Sequence, residues 1–199
     1  RVRDRLVVAD AAVDHKIDLG TGLAGVNKLG VDGEGTLRGV RDAVDFIAEL
    51  RQAKDLSKLA IGRDVVVIGG GMTAIDIAVQ SKKLGAEHVT VVYRRGQDDM
   101  KASAYEQELA QTNGVNIRTF AQPASLQSEN GKIKSVTFDE TEMKNGRLAT
   151  TGKHFTLQAD MVFTAIGQIF VPDGVNGADA LALDGGRIKV DAERRTSVK

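Results

Sequence analysis

The residues with the clearest chemical meaning are Gly69-Gly70-Gly71-Met72-Thr73-Ala74, which follow the β-branched run Asp64-Val65-Val66-Val67-Ile68. Glycines at G-x-G-x-x-A spacing between a strand and a helix suit a turn that binds the pyrophosphate of a dinucleotide. The first glycine permits the tight turn. Gly71 lacks the Cβ that would hold a phosphate away, and Ala74 keeps the helix against the sheet. The helix N-terminus adds free N–H groups and the positive end of its dipole. The plainer alternative is a glycine-rich turn kept for helix–strand packing.

A second group stands where the next strand ends, at Tyr93-Arg94-Arg95-Gly96. A site selective for NAD ends this strand with a carboxylate that holds the ribose hydroxyls. Two guanidinium groups instead fork onto a 2′-phosphate and stack on adenine, which favours NADPH over NADH. Lys101 offers a third cation, and a solvated basic pair beside Asp98 and Asp99 is the competing reading. A third group, Ala165-Ile166-Gly167-Gln168, follows the apolar run from Met161 and falls where the carboxyl ends of parallel strands form a ligand crevice. Other candidates carry less. Asp76 suits a helix start by dipole alone, Ser103 suits an N-cap, and Tyr105 and Glu106 suit capping or surface as well as ligation. No Ser–His–Asp set or carboxylate pair assembles from spacing, so there is no recognisable acid–base catalyst.

These groups need a scaffold, and the apolar periodicity supplies one. Strands are expected at 64–68, 89–93 and 115–120, with helices over 72–84 and 102–111, which gives βαβαβ. Lys82, Lys83 and Gly85 close the first of these helices. A further helix is expected from Arg38, with Val40, Val44, Phe46, Ile47 and Leu50 on one face. Alternating strands over 132–140 and 154–157 around Asn145-Gly146 suggest an antiparallel meander laid on the sheet. Met161–Ile166 is a last buried strand, and 187–191 holds one more short one. Leu6–Ala9 and His15–Gly20 read as extended pieces before Gly20-Thr21-Gly22. The fold class is α/β, a Rossmann-like doubly wound parallel sheet with an antiparallel β-meander.

Composition narrows the class. The chain has 199 residues with 27 basic and 27 acidic side chains, so no net field draws it to nucleic acid or to an anionic membrane. There is no cysteine, which excludes disulfides, thiol nucleophiles and iron–sulfur ligation by this chain. The three histidines His15, His88 and His154 lack metal-ligand spacing. No apolar run approaches the roughly 20 residues of a membrane span, and no export signal opens the chain. A cytoplasmic protein is expected.

Gly-Gly-Gly-Met-Thr-Ala-Ile-Asp, Val-Tyr-Arg-Arg-Gly and Ala-Asp-Met-Val-Phe-Thr-Ala-Ile-Gly-Gln, with Leu19–Asn27 before them, resemble one family of flavoprotein reductases. The family comprises the glutamate synthase small (β) subunit and the N-terminal portion of dihydropyrimidine dehydrogenase. The bacterial NAD(P)-dependent dihydropyrimidine dehydrogenase subunit is the member these motifs resemble most. The likeness covers about residues 15–195. It implies a flavoprotein with two dinucleotide-binding domains, in which NADPH passes hydride to FAD and electrons continue through iron–sulfur clusters to a separate catalytic large subunit. On that resemblance Gly69, Gly70, Gly71, Met72 and Thr73 would line the pyrophosphate. Arg94, Arg95 and Lys101 would hold the 2′-phosphate, and Ala165, Ile166 and Gly167 the nicotinamide side. No side-chain catalyst is needed, only orientation of the two cofactor rings. The expected division is 1–60 as a remnant of the FAD-binding domain with a connecting helix, 61–170 as the NAD(P)H-binding domain, and 171–199 as a return toward the FAD-binding domain. An FAD fingerprint upstream, a Gly-Gly-Asp motif after Thr196-Ser197-Val198 and the cluster cysteines are missing from these residues. Asp18 stands where the family carries an apolar strand residue. The chain is therefore expected to be a fragment that binds NADP(H), or NAD(H), without stable FAD or turnover.

Two other classes compete. A methyltransferase using S-adenosylmethionine shares a glycine-rich loop after its first strand, but wants an acid where Arg94 and Arg95 stand. A non-catalytic dinucleotide sensor or docking module fits the lack of an acid–base residue equally well.

Overall fold

The computed structural model describes residues 25–169, 181–185 and 187–197. The expected extended pieces at 6–9 and 15–20, the Gly20–Gly22 turn and Asp18 lie outside them. In chain order the elements are β1 (Gly25–Val26), β2 (Val40–Asp42), α1 (Ala43–Gln52), β3 (Asp64–Ile68), α2 (Met72–Lys83), β4 (His88–Val92), α3 (Ala104–Thr112) and β5 (Val115–Arg118). They continue as β6 (Ala121–Glu129), β7 (Lys132–Lys144), β8 (Arg147–Gln158), β9 (Met161–Thr164), β10 (Gln168–Ile169), β11 (Leu183–Asp184) and β12 (Arg187–Ile188). The chain divides into two compact units, one of residues 28–167 and one of 1–27 with 168–199.

The larger unit is built on a parallel sheet of order β2-β9-β3-β4-β5. Its central strands are apolar at nearly every position because both faces are covered. Val65, Val67, Met161 and Phe163 point to a core shared with Phe46 and Ile47 of α1, Ile75 and Ile77 of α2, and Ala110 of α3. Val66, Ile68, Val92 and Val162 point the other way, to Ile133, Val136 and Phe138 of the meander β6-β7-β8. The three helices therefore share one face of the sheet, and the meander covers the other. Phe46 and Phe163 meet at a centroid distance of 4.9 Å, tilted by 52°. Both hairpins of the meander turn on Asn-Gly, at Asn130-Gly131 and Asn145-Gly146. Positive φ at both residues of each pair makes the primed turns that match strand twist.

Two expectations need correction, and one strand had not been expected. The helix expected from Arg38 begins at Ala43. Val40-Arg41-Asp42 is instead an edge strand paired in parallel with Val162-Phe163-Thr164. The switch occurs at Asp42, whose carboxylate accepts the Val44 N–H as an N-cap at 2.8 Å. Strand β5 ends at Arg118 rather than at residue 120, because Phe120 takes a left-handed turn with φ +54°. Strand β6 has no alternating pattern to mark it. It is a polar edge strand with a bulge at Pro123–Ser125, where proline is tolerated.

In the smaller unit, β1 pairs antiparallel with β10 and β11 with β12. The short strand expected at 187–191 is β12, two residues long. No helix among the described residues is long and apolar enough to cross a membrane.

Candidate functional site

Parallel strands carry their turns to one edge of the sheet. The chain runs from β3 outward to β5, then returns through the meander to β9 on the other side of β3. The order reverses between β3 and β9, and a crevice opens at their carboxyl ends at such a switch point. Two of the sequence-predicted groups sit there. The Ala165 N–H donates to the Ile68 carbonyl at 2.8 Å. A Cβ on Gly69 would lie 2.3 Å from the Ala165 carbonyl oxygen. The glycine turn and the Ala165–Gly167 turn are therefore adjacent.

The three glycines have three different surroundings. Gly69 has φ +150° and abuts Ala165, so a side chain is barred by backbone. Gly70 lies against the Tyr93 ring, where a Cβ would fall 2.4 Å from the ring edge. Gly71 faces open space, with nothing within 4 Å of a Cβ position, and no side chain caps α2. The Gly71 carbonyl accepts from the Ala74 and Ile75 N–H groups, which leaves the amides of Met72 and Thr73 without an intrahelical partner. Such a turn offers hydrogen-bond donors and the positive end of the helix dipole to an anionic group. Met72 is 64% exposed at the helix start, whereas Ala74 is fully buried against the sheet.

The arginine turn is tied to the glycine turn by backbone bonds. The Gly70 carbonyl accepts from Lys101 N–H at 2.8 Å and from Ala102 N–H at 3.2 Å. The Tyr93 hydroxyl donates to the Asp99 carbonyl at 3.0 Å, which fixes the ring that walls Gly70. The Arg94 carbonyl accepts from the buried Thr141 hydroxyl at 2.7 Å, and the Arg95 carbonyl from Phe120 N–H at 3.0 Å. The main chain is held while the side chains of Arg94, Arg95 and Lys101 stay exposed. Among the described residues none of these three cations forms an ion pair, and the Asp99 carboxylate lies on the same turn, 3.5 Å from the Gly96 Cβ position. The fold brings Gly69–Thr73, Tyr93–Gly96, Lys101 and Ala165–Gly167 to one edge of one sheet.

The weaker candidates fall elsewhere. Asp76 faces Arg51 of α1 at 3.7 Å and accepts from Gln80. Ser103 and Glu106 form a reciprocal capping box at the start of α3, with the Ser103 N–H donating to Glu106 at 2.7 Å. Tyr105 is 73% exposed on that helix. Phe120 and Thr141 shape the site without any motif to announce them, while Tyr93 stood in the arginine motif without a role of its own. Phe120 and Thr141 are signalled by position alone, just past β5 and within the meander strand β7.

The comparisons agree with this architecture. The family model described as pyridine nucleotide-disulphide oxidoreductase matches residues 8–199. The NADP(+)-dependent formate dehydrogenase subunit beta of Moorella thermoacetica is 32% identical over 188 residues, which is 90% of this chain and 25% of that protein. The glutamate synthase [NADPH] small chain of Escherichia coli K12 is 38% identical over 114 residues, 53% of this chain and 24% of that protein. The chain thus spans about a quarter of the length of these relatives. Among solved structures, Lactococcus lactis thioredoxin reductase superposes with a TM-score of 0.65 at 25% identity, covering 87% of this chain and 51% of that one. FprA of Mycobacterium tuberculosis, solved with NADPH, gives a TM-score of 0.61 at 21% identity over 84% of this chain and 54% of that one, a likeness of fold. The switch-point crevice, the glycine turn and the family match together show that this chain belongs to the pyridine nucleotide-disulphide oxidoreductases, in the group of NAD(P)H-dependent flavoproteins that includes the glutamate synthase small subunit.

Proposed function

We propose that the unit of residues 28–167 binds NADPH and presents its nicotinamide to a flavin. The observation that carries this reading is the exposed pair Arg94 and Arg95 beyond β4, in no ion pair, on a segment whose Lys101 N–H bonds to the Gly70 carbonyl of an uncapped glycine turn. A 2′-phosphate supplies the counter-charge that the fold leaves out. Gly70, Gly71, Met72 and Thr73 hold the pyrophosphate through backbone N–H groups and the α2 dipole. Arg94, Arg95 and Lys101 hold the 2′-phosphate. Ala165, Ile166 and Gly167 border the nicotinamide at the switch point.

Bound NADPH supplies a hydride, and FAD and iron–sulfur clusters carried by residues outside this chain, together with a separate large subunit, would take the electrons. The residues present here do not act as acid or base. They bind, orient and set the approach of the ring, which suffices for transfer between two cofactors. The names of the relatives, two of which specify NADP(+) or NADPH, support the nucleotide assignment.

Calorimetric titration with NADPH and NADH tests it. The chain should prefer NADPH, and Arg94→Ala/Arg95→Ala should abolish that preference. Each charged contact is worth about 1.5–3 kcal/mol, or roughly tenfold or more in Kd. Equal affinity of the unaltered chain for both nucleotides would reject the phosphate clamp.

A further inference from the structure

Phe120 has a backbone conformation that its residue type resists. Its φ of +54° lies in the left-handed region, where Gly, Asn and Asp sit far more easily. Where this chain needs that conformation in its hairpins it uses Asn130 and Asn145 followed by glycine. At Phe120 it spends an aromatic ring instead, and burial does not repay it. The ring is 41% exposed, and no other aromatic stacks on it among the described residues.

The position is nevertheless held firmly. Phe120 N–H donates to the Arg95 carbonyl at 3.0 Å, and its own carbonyl accepts from Thr141 N–H at 2.8 Å. The next residue, Ala121, donates to the Tyr93 carbonyl at 3.1 Å. These bonds fix the ring beside the arginine turn, where its tip lies 3.1 Å from a Cβ position on Gly96. A glycine at 96 therefore leaves room for the ring tip, which shares that spot with an Asp99 carboxylate oxygen 3.5 Å from the same Cβ position, and the rest of the ring is partly open to solvent on the turn that carries Arg94 and Arg95.

We propose that Phe120 is the platform on which the adenine ring of the bound dinucleotide stacks, with Arg94 and Arg95 holding the adjoining ribose phosphate. This rests on the reading that the adenosine end lies at the arginine turn. Held backbone strain at a ligand site is a recognised use of such a conformation. A flat apolar face beside cations matches a purine bearing a phosphate. Phe120 is thus a specificity and positioning residue for the adenosine half, separate in effect from the arginines. Stacking gains affinity for any adenine nucleotide, whereas the arginines discriminate the 2′-phosphate.

Titration of the chain and its variants with 2′,5′-ADP, NADPH and NADH separates these roles. Phe120→Asn takes the left-handed conformation readily, so the fold should persist by circular dichroism. It should weaken all three ligands by about tenfold, with the NADPH/NADH ratio unchanged. Phe120→Tyr should bind as the parent does. Phe120→Leu, which restores apolar bulk without a π face, should stay as weak as the Asn variant. Arg94→Ala/Arg95→Ala should instead shift the ratio. Parental 2′,5′-ADP affinity in a folded Phe120→Asn, or full recovery with Leu, overturns the platform while leaving the phosphate clamp standing. Failure of the parent to bind any of the three overturns the site reading itself, and the platform with it.

Discussion

Gly69, Gly70 and Gly71 are alike in sequence and opposite in consequence. Alanine at Gly69 would drive a Cβ into the Ala165 carbonyl, and at Gly70 into the Tyr93 ring. Either change should cost about 2 kcal/mol or more of stability, read by urea denaturation. Gly71→Ala meets nothing and sits at φ −100°, an ordinary value for alanine. Alanine is a poorer N-cap than glycine, but the stiffer unfolded chain offsets much of that loss. The melting temperature of Gly71→Ala should therefore stay near the parent's, while affinity for NADPH and NADH falls by about tenfold or more. Parental nucleotide binding in this variant would mean that the open space at Gly71 is not the phosphate cradle.

Elements matter here through the two faces of one sheet. Phe138 is fully buried in the meander-side core and stacks on Phe155 at 5.4 Å. Phe138→Ala should cost about 3–5 kcal/mol, and it should also loosen Thr141, which sits three residues further along the same strand and holds the Arg94 carbonyl. Weaker NADPH binding in a variant that touches no ligand residue would show that coupling. The capping box at α3 is a smaller device. Ser103→Ala should remove about 1 kcal/mol, measurable as a lower urea midpoint. The ion pair of Arg63 with Glu87 joins the approaches to β3 and β4. Hydrogen bonding from Arg63 holds the Glu87 carboxyl below its usual value. A depressed carboxylate adds stability that is present above its unfolded value near 4.5 and is lost as pH falls through the folded value. Both groups are exposed, so Glu87→Gln should change acid stability only slightly, and less still in high salt. A large acid-limb shift that persists in high salt would contradict this.

At the scale of the whole molecule, the unit of residues 28–167 contains all five strands of the parallel sheet, the meander and the three helices. Expressed alone it should fold cooperatively, with a protease-resistant core and one thermal transition. Broad, non-cooperative melting would show that residues outside it are needed. Because the net charge is zero, the proposed nucleotide binding should depend on the local basic turn rather than on a global field. NADPH affinity should accordingly fall with added salt more steeply than NADH affinity, by an amount that Arg94→Ala/Arg95→Ala removes.

Local pattern sufficed wherever one physical demand dominated. The run Asp64–Ile68 is apolar because both of its faces are covered, and glycine after it leaves few alternatives to a phosphate turn. The strand-helix alternation from residue 64 to residue 118 followed from period. Val40–Asp42 did not, because three residues carry no period, and a β-branched valine before an amphipathic helix reads as part of that helix until its pairing with β9 is known. Strand β6 was hidden for the converse reason. Its polar edge position and bulged proline give no alternation, and only pairing with β7 makes it a strand. The motifs by themselves determined an α/β domain with a glycine turn and a basic turn, and its resemblance to the flavoprotein reductases. Only the tertiary structure decided that Gly69 abuts Ala165, that Lys101 is bonded to Gly70, and that Phe120 stands beside Arg95. Each of those contacts joins residues from separate strands or turns, and hydrogen bonding and packing between strands, rather than spacing along the chain, bring them together.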